Sequence, residues 1–313
     1  MHKVGIVMVT VNCFELSKKA MESVKTKYPY TFFWIANGCT DETIEYLEHI
    51  NSSTYTEKDM SGNVVVKRNF PNIRGIINPQ TSGLSGCWNM GIQAAFDDGC
   101  DYVLVMNNDI VLSPSTIDNL VKRMEKGDAV MVTAVNVQHT VNPEEILTTY
   151  VEYKEENDNE HPDFSCFMIS EKTIEKVGWF DENYYVAYFE DNDMHGRIAM
   201  LGEKAITIAC APYHHYGSQT SRQNPHLRAI IEEAFIRNRE YFCKKFGYRP
   251  APLSDVPEMR EKYLKTPYGL PGRSWKDTTI PVSFIPSQKP NSEEELPKSV
   301  SEPKNGEEGS SVQ

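Results

Sequence analysis

VLVMNNDIVL, residues 103–112, reads as a buried strand interrupted by Asn107, Asn108 and Asp109 before apolar side chains resume at Ile110. Similar short runs recur along the first half of the chain: VGIVMVTV (4–11), TFFWIA (31–36), VVVK (64–67), YVLVM (102–106) and AVMVTAV (129–135). They are β-branched or aromatic and do not alternate with polar residues, the pattern of strands buried on both faces. Helical patterns lie between them. The clearest is SPSTIDNLVKRMEKG (113–127), where Ser113 is the expected N-cap and Pro114 the first helical residue. Ile117, Leu120, Val121 and Met124 form its apolar stripe, and Gly127 closes it. This alternation predicts right-handed βαβ units around a mostly parallel sheet, an α/β fold. Ligands meet such sheets beyond the carboxyl ends of the strands, where Asn107, Asn108 and Asp109 fall.

After residue 136 a polar stretch leads to an expected strand, DFSCFMI (163–169), and a capped helix, SEKTIEKVG (170–178). An aromatic segment, WFDENYYVAYFED (179–191), then enters a helix beginning near Asp191. A strand AITIA (205–209), a turn-like APYHHYGSQT (211–220) and a long amphipathic helix from about 225 to 246 follow. From residue 286 onward the chain is dense in Pro, Ser and Glu without apolar periodicity, the composition of a disordered acidic tail.

Bulk properties narrow the function. The chain has 313 residues with 40% apolar content, enough for one large core. A formal charge of −12 argues against a duplex nucleic acid partner, whose phosphates need a concentrated basic face. Seven cysteines, an odd number without a CxxC pair and several inside apolar runs, read as reduced thiols of a cytoplasmic protein. The N-terminal apolar run of eight residues is too short for a signal sequence or a membrane span, so no transmembrane segment is expected.

Four clusters carry candidate chemistry. Asn107-Asn108-Asp109 suits a turn, but also a site where hard oxygen ligands hold a divalent cation against a phosphate. In TSGLSGCWNMGIQAAF (81–96), Gly83, Gly86 and Gly91 do not match GxGxxG, which removes the main support for an NAD site. Small residues there suit either close helix packing or close approach of a ligand. In FEDNDMHGRIAML (189–201), Met194, Ile198 and Leu201 form a core-facing stripe, and Asp191, seven residues before Ile198, shares its face. Asp191 is therefore either a helix cap or an inward-facing general base. Glu190 reads as a helix-start charge, and Asp193 with Arg197 as an i,i+4 pair. His214 and His215 are either surface polar residues or imidazoles that complete a carboxylate metal site.

In their order these motifs resemble family 2 glycosyltransferases of the GT-A fold, particularly rhamnosyltransferase-like members, over roughly residues 3–245. VTVN and NGCTDET resemble the nucleotide-binding start, GLSGCWNMGI the glycine-asparagine motif and MNNDI the DxD variant. GWFDE with FEDNDMHGR resembles the acceptor and catalytic-base motif, and HYGS the late histidine. The resemblance implies a GT-A domain over 1–245 with a Rossmann-like sheet, a C-terminal helical extension over 246–285 and the tail over 286–313. It implies a hexosyl- or pentosyltransferase acting on a nucleotide-sugar donor, with Thr10, Asn12, Asn37, Asp41, Gly83, Gly86, Asn89, Asn107 and Asn108 on the donor side. Asp109 with His215, chosen over His214, is the implied holder of Mn²⁺ or Mg²⁺. Asp191, with Glu190 beside it, is the implied catalytic pair. One position departs from the family: Ala36 precedes Asn37 where an aspartate is common, leaving Asp41 or Asn12 to contact the base.

On this reading a cation at Asp109 stabilises the leaving diphosphate, and Asp191 deprotonates the acceptor hydroxyl in a single inverting displacement. The default acceptor is a polysaccharide or lipid-linked glycan, with a modified nucleobase or a protein as alternatives. Two other readings compete. A nucleotidyltransferase would carry a glycine-rich basic segment after the first strand, and VTVNCFELSKKA has neither glycine nor arginine. A non-catalytic sugar-binding module would not need both Asp109 and Asp191.

Overall fold

The computed structural model describes residues 1–58, 60–61, 63–155, 158–217 and 219–246. The first half runs β1 (Val4–Thr10), α1 (Phe14–Glu22), β2 (Tyr30–Asn37), α2 (Thr43–Ser52), β3 (Thr54–Lys58), β4 (Val64–Arg68), β5 (Ile73–Asn78) and α3 (Leu84–Asp97). Then come β6 (Tyr102–Asn107), β7 (Ile110–Leu112), α4 (Thr116–Met124), β8 (Met131–Asn136), α5 (Pro143–Ile146), β9 (Cys166–Ile169) and α6 (Glu171–Val177). The last elements are α7 (Glu190–Met200), β10 (Ala205–His215), α8 (Gln219–Gln223) and α9 (Pro225–Phe246). The expected extension over 246–285, apart from Phe246, and the expected tail over 286–313 lie outside the described residues.

The main sheet has the order β5-β2-β1-β6-β9-β8-β10-β7. Strands β5, β2, β1 and β6 are mutually parallel, as are β8 and β10, while β9 runs antiparallel to both β6 and β8. Both faces are covered. On β1, Ile6 and Met8 pack with Leu47 of α2 and Ile117 of α4, whereas Val7 and Val9 belong to the core that contains Trp88 and Ile92 of α3. This explains the unbroken apolar runs. Gly91 permits one of these close approaches, since a Cβ there would lie 2.4 Å from Val7 Cγ1. No helix among the described residues is long and apolar enough to cross a membrane.

Several expectations change. VVVK (64–67) is not a buried strand of the main sheet but part of β4, which pairs only with β3 in an exposed hairpin. The short link from β3 has no room for the crossover that a parallel neighbour requires. The strand beside β2 is instead β5, IRGIIN. Its Gly75 admits helix α2, because a Cβ there would stand 2.8 Å from Leu47 Cβ. Helix α4 starts at Thr116 with Ser115, not Ser113, as N-cap, and Pro114 precedes it in the turn. Ser113 Oγ still accepts the Ser115 N–H at 3.3 Å, ahead of the helix, while donating to the Thr149 carbonyl at 2.5 Å. The expected turn APYHH is the second half of β10, with Pro212 at a register shift where a missing N–H is tolerated.

That shift positions the site. Beyond it Pro212 and Tyr213 rejoin β8 opposite Val135 and Asn136, while on its other edge β10 pairs antiparallel with β7, so Tyr213, His214 and His215 face Leu112, Val111 and Ile110. The opening stretch VLVMNNDIVL is therefore two strands, one central and one at the curled edge, joined at Asn108-Asp109.

Candidate active site

Side chains from four parts of the chain converge on a cavity of about 600 Å³ at the carboxyl end of β6. Its wall includes Asn107, Asp109, Asp163, Glu190, Asp191 and His215. The β7–β10 register delivers His215 to the carboxylate that ends the turn: His215 Nε2 lies 2.9 Å from Asp109 Oδ1. Asp109 is 4% exposed, and its Oδ2 accepts the Gln219 N–H at 3.2 Å. Burial pulls the His215 pKa down, but the hydrogen bond and charge of Asp109 outweigh it and raise it above the ordinary histidine value. His214, one residue earlier in the strand, projects oppositely, and its Nδ1 lies 2.9 Å from the Val141 carbonyl.

The other two residues of the turn, Asn107 and Asn108, both border the cavity. The Asn108 amide also donates to Thr10 Oγ1 and Ser17 Oγ at 3.1 and 3.0 Å and locks β6 to the start of α1. Thr10 in turn donates to the Asn12 carbonyl at 2.6 Å. Asn12 and Cys13, both left-handed, redirect the chain into α1. Asn12 Oδ1 accepts the Thr40 N–H at 2.7 Å, and Asp41 Oδ2 accepts the Phe14 N–H at 3.0 Å, supplying α1 with a carboxylate at its N-terminus. Asn12 and Asp41 line a second hollow of about 620 Å³, separate from the acidic cavity, with Cys13, Phe14 and Gln219.

The glycine-asparagine segment divides between the two roles the sequence left open. Asn37, buried at the end of β2, lines the acidic cavity and pins the segment before α3: its Oδ1 accepts Ser82 N at 2.8 Å and its Nδ2 donates to Ser82 O at 2.9 Å. Asn89 lies beneath the site. Its amide donates to the Phe180 carbonyl at 2.8 Å and Glu182 Oε1 at 3.0 Å, and its Oδ1 accepts Phe180 N at 3.1 Å. Gly83 and Gly86 face the same 180–186 segment, where a Cβ would meet Tyr185 and Glu182 at 3.4 and 3.6 Å. Gly83, Gly86 and Asn89 thus lie against the loop leading to α7.

That loop enters α7 through two consecutive left-handed residues, Tyr188 and Phe189. Glu190 follows, 5% exposed, with Oε2 buried and without a hydrogen-bond partner. Burial, reinforced by the charge of Asp191, pushes its pKa up to about 8. Asp191 is half-buried and accepts the Asn192 N–H at 2.8 Å, and burial raises its pKa too. Asp193 and Arg197 do pair, at 2.6 Å, but not on a helix surface: their side chains are 0% and 5% exposed. Lys245 of α9 bridges Asp193 and Asp181 at 2.5 and 2.7 Å, and Tyr184 donates to Asp193 at 3.0 Å. Burial alone would raise the Asp181 carboxyl; Lys245 holds it down at about 2. The sequence reading missed this cluster because Lys245 is 52 residues from Asp193, beyond any local pattern. It also missed Asp163, whose only sequence signal is its place at the entry to a short apolar strand.

Among the described residues no group of three or more His, Cys, Asp or Glu could hold a metal ion. Asp109 and His215 offer one oxygen and one nitrogen, both already adjacent. Such a donor set fits a cation shared with a bound diphosphate better than one caged by protein alone.

Known proteins share this fold. The solved structures include "GalNAc-T7 with UDP, GalNAc and Mn2+", matched at a TM-score of 0.53 and 14% identity over 88% of this chain and 55% of that one. S. aureus TarS 1-349 matches at 0.51 and 12% identity, over 84% of this chain and 70% of the other. These likenesses show a GT-A glycosyltransferase fold. The family described as glycosyl transferase family 2 matches residues 5–178, more than half of the chain, and the chain belongs to that family. A galactofuranosyl glycosyltransferase of Leishmania donovani is 28% identical over 160 residues, 47% of this chain and 36% of that protein. The chain therefore matches about a third of that relative's length.

Proposed function

We propose that the protein is an inverting, metal-assisted glycosyltransferase that moves a sugar from a nucleotide diphosphate to an acceptor hydroxyl, with Asp191 as general base. The observation that carries this reading is the convergence of Asp109, His215, Glu190 and Asp191 on one cavity at the strand ends. The acceptor oxygen forms a bond to the anomeric carbon while the bond from that carbon to the diphosphate breaks. The nucleoside diphosphate leaves with the bonding electrons, and the hydroxyl proton passes to Asp191. One displacement inverts the anomeric centre.

The roles of the two carboxyls follow from their environments, which drive their proton affinities apart. Asp191 is the more open to an arriving hydroxyl; Glu190, with its pKa near 8, holds a proton at neutral pH. Asp109 and His215 are the groups to hold Mn²⁺ or Mg²⁺, which when bound supplies Lewis-acid stabilisation of the diphosphate. Asn107 and Asn37 border the same cavity and serve the donor there. Asn12 and Asp41, which line the second hollow, are the proposed contacts to the base. The motif order favours a rhamnosyltransferase-like donor, while the Leishmania relative suggests galactofuranose, so a donor panel starts with dTDP-rhamnose and UDP-galactofuranose. The GalNAc-T7 match supports Mn²⁺ and UDP by analogy of fold. A cytoplasmic setting belongs to the same proposal and is supported by seven free cysteines, six of them buried. The test is release of nucleoside diphosphate from that panel with Mn²⁺ present, and its loss in EDTA.

A further inference from the structure

Tyr188 is an aromatic residue that the fold exposes at considerable conformational cost. It and Phe189 are consecutive non-glycine residues at φ 73° and 74°, a region L-residues rarely occupy and one that needs outside support. Helix α9 supplies that support. Asn238, fully buried, donates from Nδ2 to the Ala187 and Tyr188 carbonyls at 2.9 and 3.1 Å, and Arg237 donates to the Tyr185 carbonyl. Apolar packing accounts for Phe189, which is buried against Phe242. It does not account for Tyr188, which remains 45% exposed on the cavity wall. Among the described residues its aromatic neighbour outside the loop is Phe235 of α9, 42% exposed, with ring centroids 5.6 Å apart and planes at 76°.

Two residues further on, the same wall carries Glu190, whose buried Oε2 has no hydrogen-bond partner. One cavity wall thus carries a half-exposed aromatic ring and an unpaired polar atom that burial penalises. A pyranose ring answers both, with a C–H face for the aromatic and a rim of hydroxyls for the carboxyl. An alkyl chain would cover the ring and leave Glu190 unpaired. A phosphate-rich acceptor would meet Asp163, Glu190 and Asp191 around the same cavity.

We propose that Tyr188 and Phe235 form an acceptor subsite that stacks a sugar ring, with a hydroxyl of that ring bonded to Glu190 Oε2 and a neighbouring hydroxyl presented to Asp191. The acceptor is accordingly a glycan, engaged through its pyranose ring. This rests on the glycosyltransferase reading above, and a binding experiment separates the two.

Saturation-transfer NMR on the full chain, with methyl hexopyranosides and maltotriose as probes, requires no turnover. The wild type is expected to saturate ring C–H protons of at least one glycoside. Tyr188→Ala and Phe235→Ala should each weaken that binding by roughly tenfold, and Tyr188→Phe should restore it to within about twofold. Because the ring faces solvent, a matching melting temperature for Tyr188→Phe and Tyr188→Ala checks that folding is intact. The subsite is overturned if no glycoside is saturated, if both alanine variants bind as wild type does, or if only farnesyl phosphate or uridine shows the Tyr188 dependence. Nucleoside diphosphate release is measured separately, so loss of the subsite with turnover intact is distinguishable from failure of the enzyme reading.

Discussion

Glu190 and Asp191 are adjacent carboxylates with unlike surroundings, and the spacing argument ranks their burial the wrong way. Asp191 shares a face with Ile198 at i+7, which made it the inward carboxylate. Yet Glu190 stands at i+4 from the fully buried Met194 and is itself the more deeply buried. The helix begins one residue earlier than expected, from a left-handed Phe189 that no periodicity announces. A pH prediction follows from the burial. The folded-state pKa of Glu190, up at about 8, exceeds the ordinary value of 4.5, so the native protein keeps a proton that the unfolded chain releases. Its contribution to stability therefore falls as pH rises from about 4.5 to 8 and levels off above. Glu190→Gln should melt above wild type near pH 9 and close to it near pH 4. Melting curves across that range check the sign; a variant that melts below wild type at the high end contradicts it.

Elements were legible where period and burial agree. The runs that became β1, β2 and β6 are buried on both faces, and the capped pattern SEKTIEKVG is helix α6 with Ser170 and Thr173 in a reciprocal cap. VVVK misled because three β-branched residues suit any strand, exposed or buried, and only pairing partners decide which. The Asp193–Arg197 pair was legible as a contact, but i,i+4 spacing does not fix its depth. On a surface the pair would be worth about 0.3–0.5 kcal/mol. Buried with Asp181 and Lys245, it holds α9 to α7 and to the loop before it. Lys245→Met leaves Asp181 without its buried cation and Asp193 with Arg197 alone, and should cost about 3–5 kcal/mol in urea unfolding. A loss under about 1 kcal/mol would place the cluster in water.

Across the whole molecule, the family match ends at residue 178, yet the cavity is completed by residues between 186 and 231, from the loop before α7 and from α7, β10, α8 and α9. The strand-end half of the site was readable because parallel sheets bind ligands in a fixed place. The closing half depends on a bent strand and on contacts such as that of Asp109 with His215, 106 residues away, which no local pattern encodes. The two histidines make this testable. His215→Ala should raise the Mn²⁺ concentration needed for turnover, whereas His214→Ala, with its ring on the Val141 carbonyl, should leave that requirement near wild type. Metal titrations of both variants check the assignment, and the reverse pattern would exchange the two imidazoles.

The central claim is that this cavity performs glycosyl transfer with Asp191 accepting the proton. The most direct measurement is steady-state release of nucleoside diphosphate with Mn²⁺ and an accepted donor, comparing wild type with Asp191→Asn, alongside the donor dissociation constant of each. The account predicts release by the wild type and a fall in kcat of about 10²-fold or more in the variant, with donor affinity little changed. Normal turnover by Asp191→Asn, or no release by the wild type from any donor of the panel, would contradict it.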